Sequence, residues 1–272
     1  MGCLYVVATP IGNLEDVSLR ALRVLASVAL VAAEDTRTAG VFLRRHGLNP
    51  RTVSYTDHNK NERIPHILQR LDAGDVALVS DAGTPAISDP GVELVAAARA
   101  AGHEVVSLPG PSAVVAALSV AGLRCNEFRF VGFVPRVAGE ARRLLEDAKS
   151  RTDTLIVFEA PGRLRKTLAL INEVLPGRRV AVCRELTKLH EETFVGTAAE
   201  ALDHFTSPRG EIVLVIEGGE ATAPATDEAA ALADVREMKR LGLSRAQAQT
   251  LIERRFGIGR RAFYQLWVSQ GD

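Results

Sequence analysis

Leu4-Tyr5-Val6-Val7-Ala8-Thr9-Pro10-Ile11-Gly12-Asn13-Leu14 opens the chain with an apolar run that passes straight into a turn bearing proline and glycine. The run lacks the polar alternation of a half-exposed strand, so it reads as a strand covered on both faces, as parallel sheets are. The pattern recurs. Residues 28–33, 76–80, 104–108, 154–159, 180–183 and 212–217 are similar short runs rich in Val, Ile and Leu. Residues 17–26, 64–73, 92–101 and 111–121 carry helical patterns between them, and Gly74 and Gly102 stand where C′ glycines stop a helix. Strands alternating with helices predict α/β architecture.

Four strand–helix units reach to about residue 115. Residues 125–138, with Phe128, Phe130 and Phe133 placed as in a strand, read as the crossing to a second α/β unit. Residues 220–226 are rich in Ala, Thr and Pro and read as a linker. Beyond them only helical patterns occur: Leu232, Val235, Met238 and Leu241 recur every three residues, and Ser244 suits an N-cap. The expected organisation is an α/β domain over 1–118, a second over 119–222 and a small basic helical module over 228–272.

The chain's 272 residues carry 33 Lys+Arg against 33 Asp+Glu, and 47% hydrophobic with 24% charged residues is ordinary for a folded protein. Disordered, collagenous and disulfide-dense classes are excluded. No apolar stretch is long enough to span a membrane, and the opening run is too short and lacks the positive flank of a signal peptide. Cys3, Cys125 and Cys183 are few, odd in number and widely separated, which fits a reducing cytoplasm and no metal motif. The neutral total hides a swing. Residues 203–234 hold seven acidic side chains and one basic, whereas residues 236–261 hold eight basic and two acidic.

Glycine and proline cluster at the strand ends, where α/β proteins bind ligands. Besides the first turn, the third strand runs into Ser80-Asp81-Ala82-Gly83-Thr84-Pro85 and on through Asp89-Pro90-Gly91, and the fourth into Pro109-Gly110-Pro111-Ser112-Ala113. Glycine admits a ligand close to the backbone and proline fixes φ, so such loops form stiff, narrow cradles. The usual fingerprints are absent: there is no G-x-x-x-x-G-K-[ST], H-E-x-x-H or G-x-S-x-G. The one G-x-G-x-x-A match, at Gly257, lies in the basic tail and reads as a helix–turn–helix junction.

The first-strand stretch, Ala33-Glu34-Asp35-Thr36-Arg37, Val79-Ser80-Asp81-Ala82-Gly83-Thr84-Pro85, Pro109-Gly110-Pro111-Ser112 and Arg184-Glu185-Leu186-Thr187-Lys188 together closely resemble the ribosomal RNA small subunit methyltransferase I family, a branch of the tetrapyrrole methylase superfamily. The resemblance covers residues 4 to about 219, and the basic tail is similar to the family's C-terminal helical module. It implies two α/β domains with S-adenosylmethionine in the cleft between them. It also implies methylation of a cytidine ribose 2′-oxygen in 16S ribosomal RNA, by a homodimer in the cytoplasm. The implied cofactor contacts are Pro10, Asp81, Gly83, Thr84, Ile87, Ser112 and Ala113, with no metal. One departure stands out: the family's Glu-Ser-Pro-His-Arg-Leu is here Glu159-Ala160-Pro161-Gly162-Arg163-Leu164, so the imidazole is missing at Gly162.

A ribose hydroxyl is a weak nucleophile, so help in removing its proton is expected. The candidates are Asp35, Glu185 and Lys188, each in a motif that combines carboxylate with cation; the alternative is that these charges form locking ion pairs. Arg37, His58 and Arg163, with Arg254, Arg255, Arg260 and Arg261 of the tail, are candidate RNA contacts, against the alternative of solvated helix faces. Phe263, Tyr264 and Trp267 are expected in the tail core. Two competing functions are a methylase of a small tetrapyrrole and a non-catalytic ribosome-assembly factor.

Overall fold

The computed structural model describes residues 2–219 and 228–269, and the linker expected at 220–226 falls outside them. The chain divides into two compact units, Met1–Gly218 and Gly219–Asp272.

The first unit begins with β1 (Cys3–Val7), α1 (Leu19–Ser27), β2 (Leu30–Ala33), α2 (Thr36–Arg45), β3 (Thr52–Ser54), α3 (Lys60–Ala73), β4 (Val76–Val79), α4 (Val92–Ala100), β5 (Glu104–Leu108) and α5 (Ala113–Val120). The five strands form one parallel sheet in the order β3-β2-β4-β1-β5. Both of its faces are covered. Val31, Ala33, Ala77 and Val79 pack with Leu25, Phe42 and Leu43 of α1 and α2, while Leu30, Ala32, Val76 and Leu78 pack with Ile67, Leu71 and Leu94 of α3 and α4. Successive strand residues point to opposite faces, so a doubly covered strand is apolar at every position.

Next come β6 (Phe128–Phe133), α6 (Ala138–Lys149), β7 (Thr154–Glu159), α7 (Pro161–Val174), β8 (Arg179–Arg184), β9 (Glu192–Thr197), α8 (Ala198–His204) and β10 (Ile212–Ile216). This sheet, β6-β7-β10-β8-β9, departs from the parallel expectation: only β6 and β7 pair in parallel, and β10 runs against both β7 and β8. The reason is that burial on two faces, not parallel pairing, makes a run apolar. Ile212, Leu214 and Ile216 of β10 face the cluster built with α6, α7 and α8, and Val213 and Val215 face the cluster containing Val114, Ala117 and Leu118 of α5. Helix α5 therefore follows the first sheet in sequence and covers a face of the second.

Two strands have no counterpart in the sequence reading. β3 has only three residues, and β9 (ETFVGT) is a half-exposed edge strand without a long apolar run. Gly102 takes the left-handed conformation expected of a C′ residue (φ 84°), whereas Gly74 ends α3 in an extended conformation (φ 170°), because β4 starts two residues later.

The second unit contains α9 (Glu228–Arg240), α10 (Arg245–Phe256) and α11 (Arg260–Val268) around Ala231, Val235, Ala248, Ile252, Ile258, Phe263 and Leu266. Ser244 caps α10 reciprocally with Gln247, and left-handed Gly257 ends it, so the Gly257–Gly259 turn joins two helices. Phe263 is buried and Trp267 packs against the core. Tyr264, expected there, is instead exposed beside the Arg245 guanidinium.

Candidate active site

Three strand-end turns of the first sheet are tied to one another. The Thr9 N–H donates to Gly83 O (2.8 Å), and the Gly83 N–H donates back to Thr9 O (3.0 Å). The Thr9 hydroxyl donates to Ser80 O (3.1 Å), and the Thr84 hydroxyl to Pro111 O (3.2 Å). The loops after β1, β4 and β5 thus hold one another through backbone carbonyls. Glycine is required at two of these places: Gly83 is left-handed (φ 78°), and a Cβ on Gly110 would stand 2.9 Å from that of Ala8.

These turns form one wall of a cavity of about 390 Å³. Ile11, Gly83, Thr84, Ile87, Ser112 and Ala113 line it from the first half; Phe133, Phe158, Pro161, Cys183, Leu186 and Val213 line it from the second. The lining is largely apolar with a few polar groups contributed by both halves, the usual character of a small-molecule site. Ser112 precedes α5 without a side-chain cap, which leaves the first-turn N–H groups unspent where Ser112, Ala113 and Val114 line this cavity. Burial pushes the Cys183 thiol up to about 11, which keeps it neutral.

Five of the seven expected cofactor residues, Gly83, Thr84, Ile87, Ser112 and Ala113, meet on this wall. Pro10 and Asp81 line a neighbouring cavity of about 310 Å³ with Thr9, Leu14, Thr38 and Phe42.

The charged candidates are paired. Asp35 caps α2: its carboxylate accepts from the Arg37 backbone N–H (2.7 Å) and from the Arg37 guanidinium (2.6 Å), which hold its pKa down at about 2. Glu185 and Thr187 are both left-handed without being glycine (φ 53° and 67°). The Glu185 carboxylate accepts from the Glu211 N–H (2.9 Å) and from Lys188 Nζ (3.0 Å), and both lower its pKa. Burial pulls the Lys188 ammonium down, but its bonds to Glu185 and Glu211 outweigh this and leave it raised. The Asn13 N–H donates to Thr187 Oγ1 (2.9 Å), so this loop closes on the first-strand turn. Lys188 lines a third, open cavity of about 670 Å³ with Asn13, Arg45 and His46.

Arg163 donates to Val134 O (3.0 Å) and Pro135 O (2.8 Å), which turns its guanidinium inward. Arg37 and His58 are exposed, as are Arg254, Arg255, Arg260 and Arg261 of the second unit, Arg255 in an ion pair with Asp234 (2.6 Å). Gly162 faces open space, with no atom within 4 Å of a Cβ built there. The sequence reading passed over Asp89, Glu159, Phe133, Phe158 and Leu186 as lining groups. Asp89 carries a signal in continuing the turn after β4, as do Glu159 and Leu186 in lying within motifs at strand ends.

Residues 3–202 match the family of tetrapyrrole (corrin/porphyrin) methylases. A Synechocystis protein named ribosomal RNA small subunit methyltransferase I is 43% identical, over 98% of this chain and 97% of its own length. The chain belongs to the ribosomal RNA small subunit methyltransferase I family. A member from Thermotoga maritima is 45% identical over 81% of this chain and 100% of its own. Among solved structures, the methyltransferase CobJ superposes with a TM-score of 0.60 at 19% identity, covering 80% of this chain and 95% of that one. The family's fold is thus shared with a methyltransferase far apart in sequence, and the stitched turns lie within the 3–202 match to the family. Among the described residues of this family member, no helix is long and apolar enough to cross a membrane.

Proposed function

We propose that this chain transfers the methyl group of S-adenosylmethionine to the 2′-hydroxyl of a cytidine ribose in the 16S RNA of the small ribosomal subunit, as a homodimer in the cytoplasm. Family membership over nearly the whole length, basic tail included, is the observation that carries the reading. The cavity fits the donor: apolar walls suit an adenosine, close-approach Gly83 admits it to the backbone, and the unspent N–H groups opening α5 suit a carboxylate. When bound, S-adenosylmethionine supplies a sulfonium-activated methyl group.

Gly83, Thr84, Ile87, Ser112 and Ala113 hold the donor in this reading, with Pro10 and Asp81 at the edge of the adjoining cavity. The hydrogen bonds that tie their loops together through Thr9, Ser80 and Pro111 preorganise the site, and orientation of that kind is worth up to roughly 7–11 kcal/mol of barrier. Asp35, Glu185 and Lys188 fix the loops around the acceptor through the pairs described above. Arg37, His58 and the tail arginines contact RNA phosphates, and affinity then falls steeply with salt. Arg163 shapes the rim from within.

The test is incubation of the protein with donor and small subunits from cells lacking this gene, followed by mapping of ribose methyl groups. A single new 2′-O-methylcytidine in 16S RNA is expected. Methylation of a base, or none, would overturn the assignment.

A further inference from the structure

Three carboxylates line the cavity, Asp89, Glu159 and Glu211, and they differ in what surrounds them. Glu159 is buried and already engaged: it accepts from the Ala160 N–H (2.8 Å) and the Thr167 hydroxyl (2.5 Å), with Arg163 at 3.5 Å. Glu211 is exposed and paired with Lys188 (3.1 Å). Asp89 is half-buried, and the groups acting on it are Glu34 from the end of β2 and Ser80 and Asp81 from the end of β4, none of them cationic.

The segment that carries Asp89 is held in an unusual shape. Ala86 and Ser88 are left-handed (φ 68° and 66°), and Gly91 (φ 153°) is buried where a Cβ would stand 3.0 Å from Leu78 Cδ2. Non-glycine residues keep such conformations only where the surroundings impose them, and they cluster at functional sites. Here the imposed turn sets Ile87, Ser88 and Asp89 on the cavity wall.

We propose that Asp89 is the catalytic base that takes the proton of the acceptor hydroxyl as its oxygen is methylated. This rests on the ribose-methylation reading above. The acceptor O–H bond breaks and its proton passes to a carboxylate oxygen of Asp89. The hydroxyl oxygen forms the new bond to the methyl carbon as the C–S bond breaks, its electron pair staying on sulfur as a neutral thioether. Asp89 then returns its proton to water.

The basicity agrees. Burial, then the charge of Glu34, pushes the Asp89 carboxyl up to about 6, with Ser80 opposing and Asp81 adding a little. Glu34 and Asp81 are themselves raised, chiefly by burial. Of the other titratable groups on the wall, Cys183 is neutral, Glu159 is hydrogen-bonded and Glu211 is neutralised by Lys188. A base titrating near 6 is ionised at neutral pH yet far more basic than the Arg37-bound Asp35.

The experiment uses the full chain, with aspartate 13C-labelled at the carboxyl for NMR, and single-turnover methyl transfer to small subunits. In the free protein one aspartate carboxyl should titrate near pH 6, vanish in Asp89→Asn, and move to lower pH in Glu34→Gln. Asp89→Asn should lower the single-turnover rate by about 100-fold or more, with S-adenosylmethionine affinity by calorimetry within about threefold. The wild-type rate should rise through one ionisation between pH 5 and 7, and Glu34→Gln should shift that rise downward. The assignment is overturned if no aspartate titrates above pH 5, if Asp89→Asn keeps its rate, or if its loss is matched by lost donor affinity. Should Asp89→Asn fail to fold, an unmoved rise in Glu34→Gln is enough to overturn it. Product mapping separates the two claims: ribose methylation by wild type with an equally active Asp89→Asn removes the base alone, whereas no ribose product from wild type removes both.

Discussion

The two halves of the first unit reach the same cavity by different topologies. In the first sheet every strand is parallel, so the loops after β1, β4 and β5 emerge at one edge and can bond to one another. In the second sheet β10 runs backwards, so the wall is made from the ends of β6, β7 and β8 and from the beginning of β10, at 210–213. The first half joins its loops through hydrogen bonds onto backbone carbonyls, donated by the Thr9 and Gly83 amides and the Thr9 and Thr84 hydroxyls. The second has one backbone bond between its loops, Glu185 N–H to Glu211 O (2.9 Å), and adds ion pairs on a left-handed turn, Glu185–Lys188–Glu211. Backbone stitching fixes position to the rigidity of the main chain. Ion pairs among partly exposed side chains are individually weak and screened by salt. The first half is therefore expected to set donor affinity and the second to tune it.

The largest effect should come from breaking the backbone cradle. Gly83→Val places a β-branched residue at φ 78° with its Cβ about 3.4 Å from Ile11 Cγ2. Left-handed strain of roughly 1–3 kcal/mol, together with intrusion of the side chain into the cavity, should weaken donor binding about 100-fold by calorimetry. Unchanged affinity would mean that the turn is scaffolding only. The matching lesion in the second half is milder. Gly210 is left-handed as well (φ 84°), and a Cβ there would meet Glu185 Cδ at 2.4 Å and Cγ at 2.5 Å, but alanine is not β-branched and the neighbour is one side chain that can shift. Gly210→Ala should cost about tenfold in donor affinity, and the deficit should shrink at high salt, where the wild-type pairs are also screened. A loss as large as that of Gly83→Val would abolish the distinction between the halves.

These differences explain what the sequence disclosed. The first-half loops were legible because glycine and proline mark stiff turns, and parallel strands place successive turns together. The direction of β10 was not legible, since Val213 and Val215 on one face and Ile212 and Leu214 on the other look alike in either orientation. Nor was β9, where only Phe194 and Val195 are apolar among Glu, Thr and Gly, too short a run to read as a strand. Asp35, Glu185 and Lys188 attracted notice as charges inside motifs, but a linear chain does not reveal that each already has a partner. Asp89 has the opposite history: the Asp89-Pro90-Gly91 turn is legible, but the basicity is not, since it comes from burial and then from Glu34, brought near by the β2–β4 pairing.

The same carboxylate gives a stability test with a definite sign. The folded pKa of Asp89, about 6, lies above its unfolded value, so the folded state binds the proton more tightly. The contribution of Asp89 to stability should therefore decline as pH rises from about 4 to about 6 and stay lower beyond. Asp89→Asn removes that loss, so thermal midpoints of variant and wild type should diverge in the variant's favour above pH 6 and converge near pH 4. A variant destabilised equally at both values would make Asp89 a structural residue like its buried neighbours.

The smallest effect probes a position that neither half uses. Gly162 lies in the first turn of α7, with open space where a side chain would project. Alanine there removes conformational freedom from the unfolded chain and improves helix propensity, a gain of up to about 1 kcal/mol. Gly162→Ala should raise the thermal midpoint by roughly 2–4 °C while leaving donor affinity and single-turnover rate as they are. A fall in rate without a fall in stability would show that the empty space itself is used, by an acceptor that needs the room an alanine methyl takes.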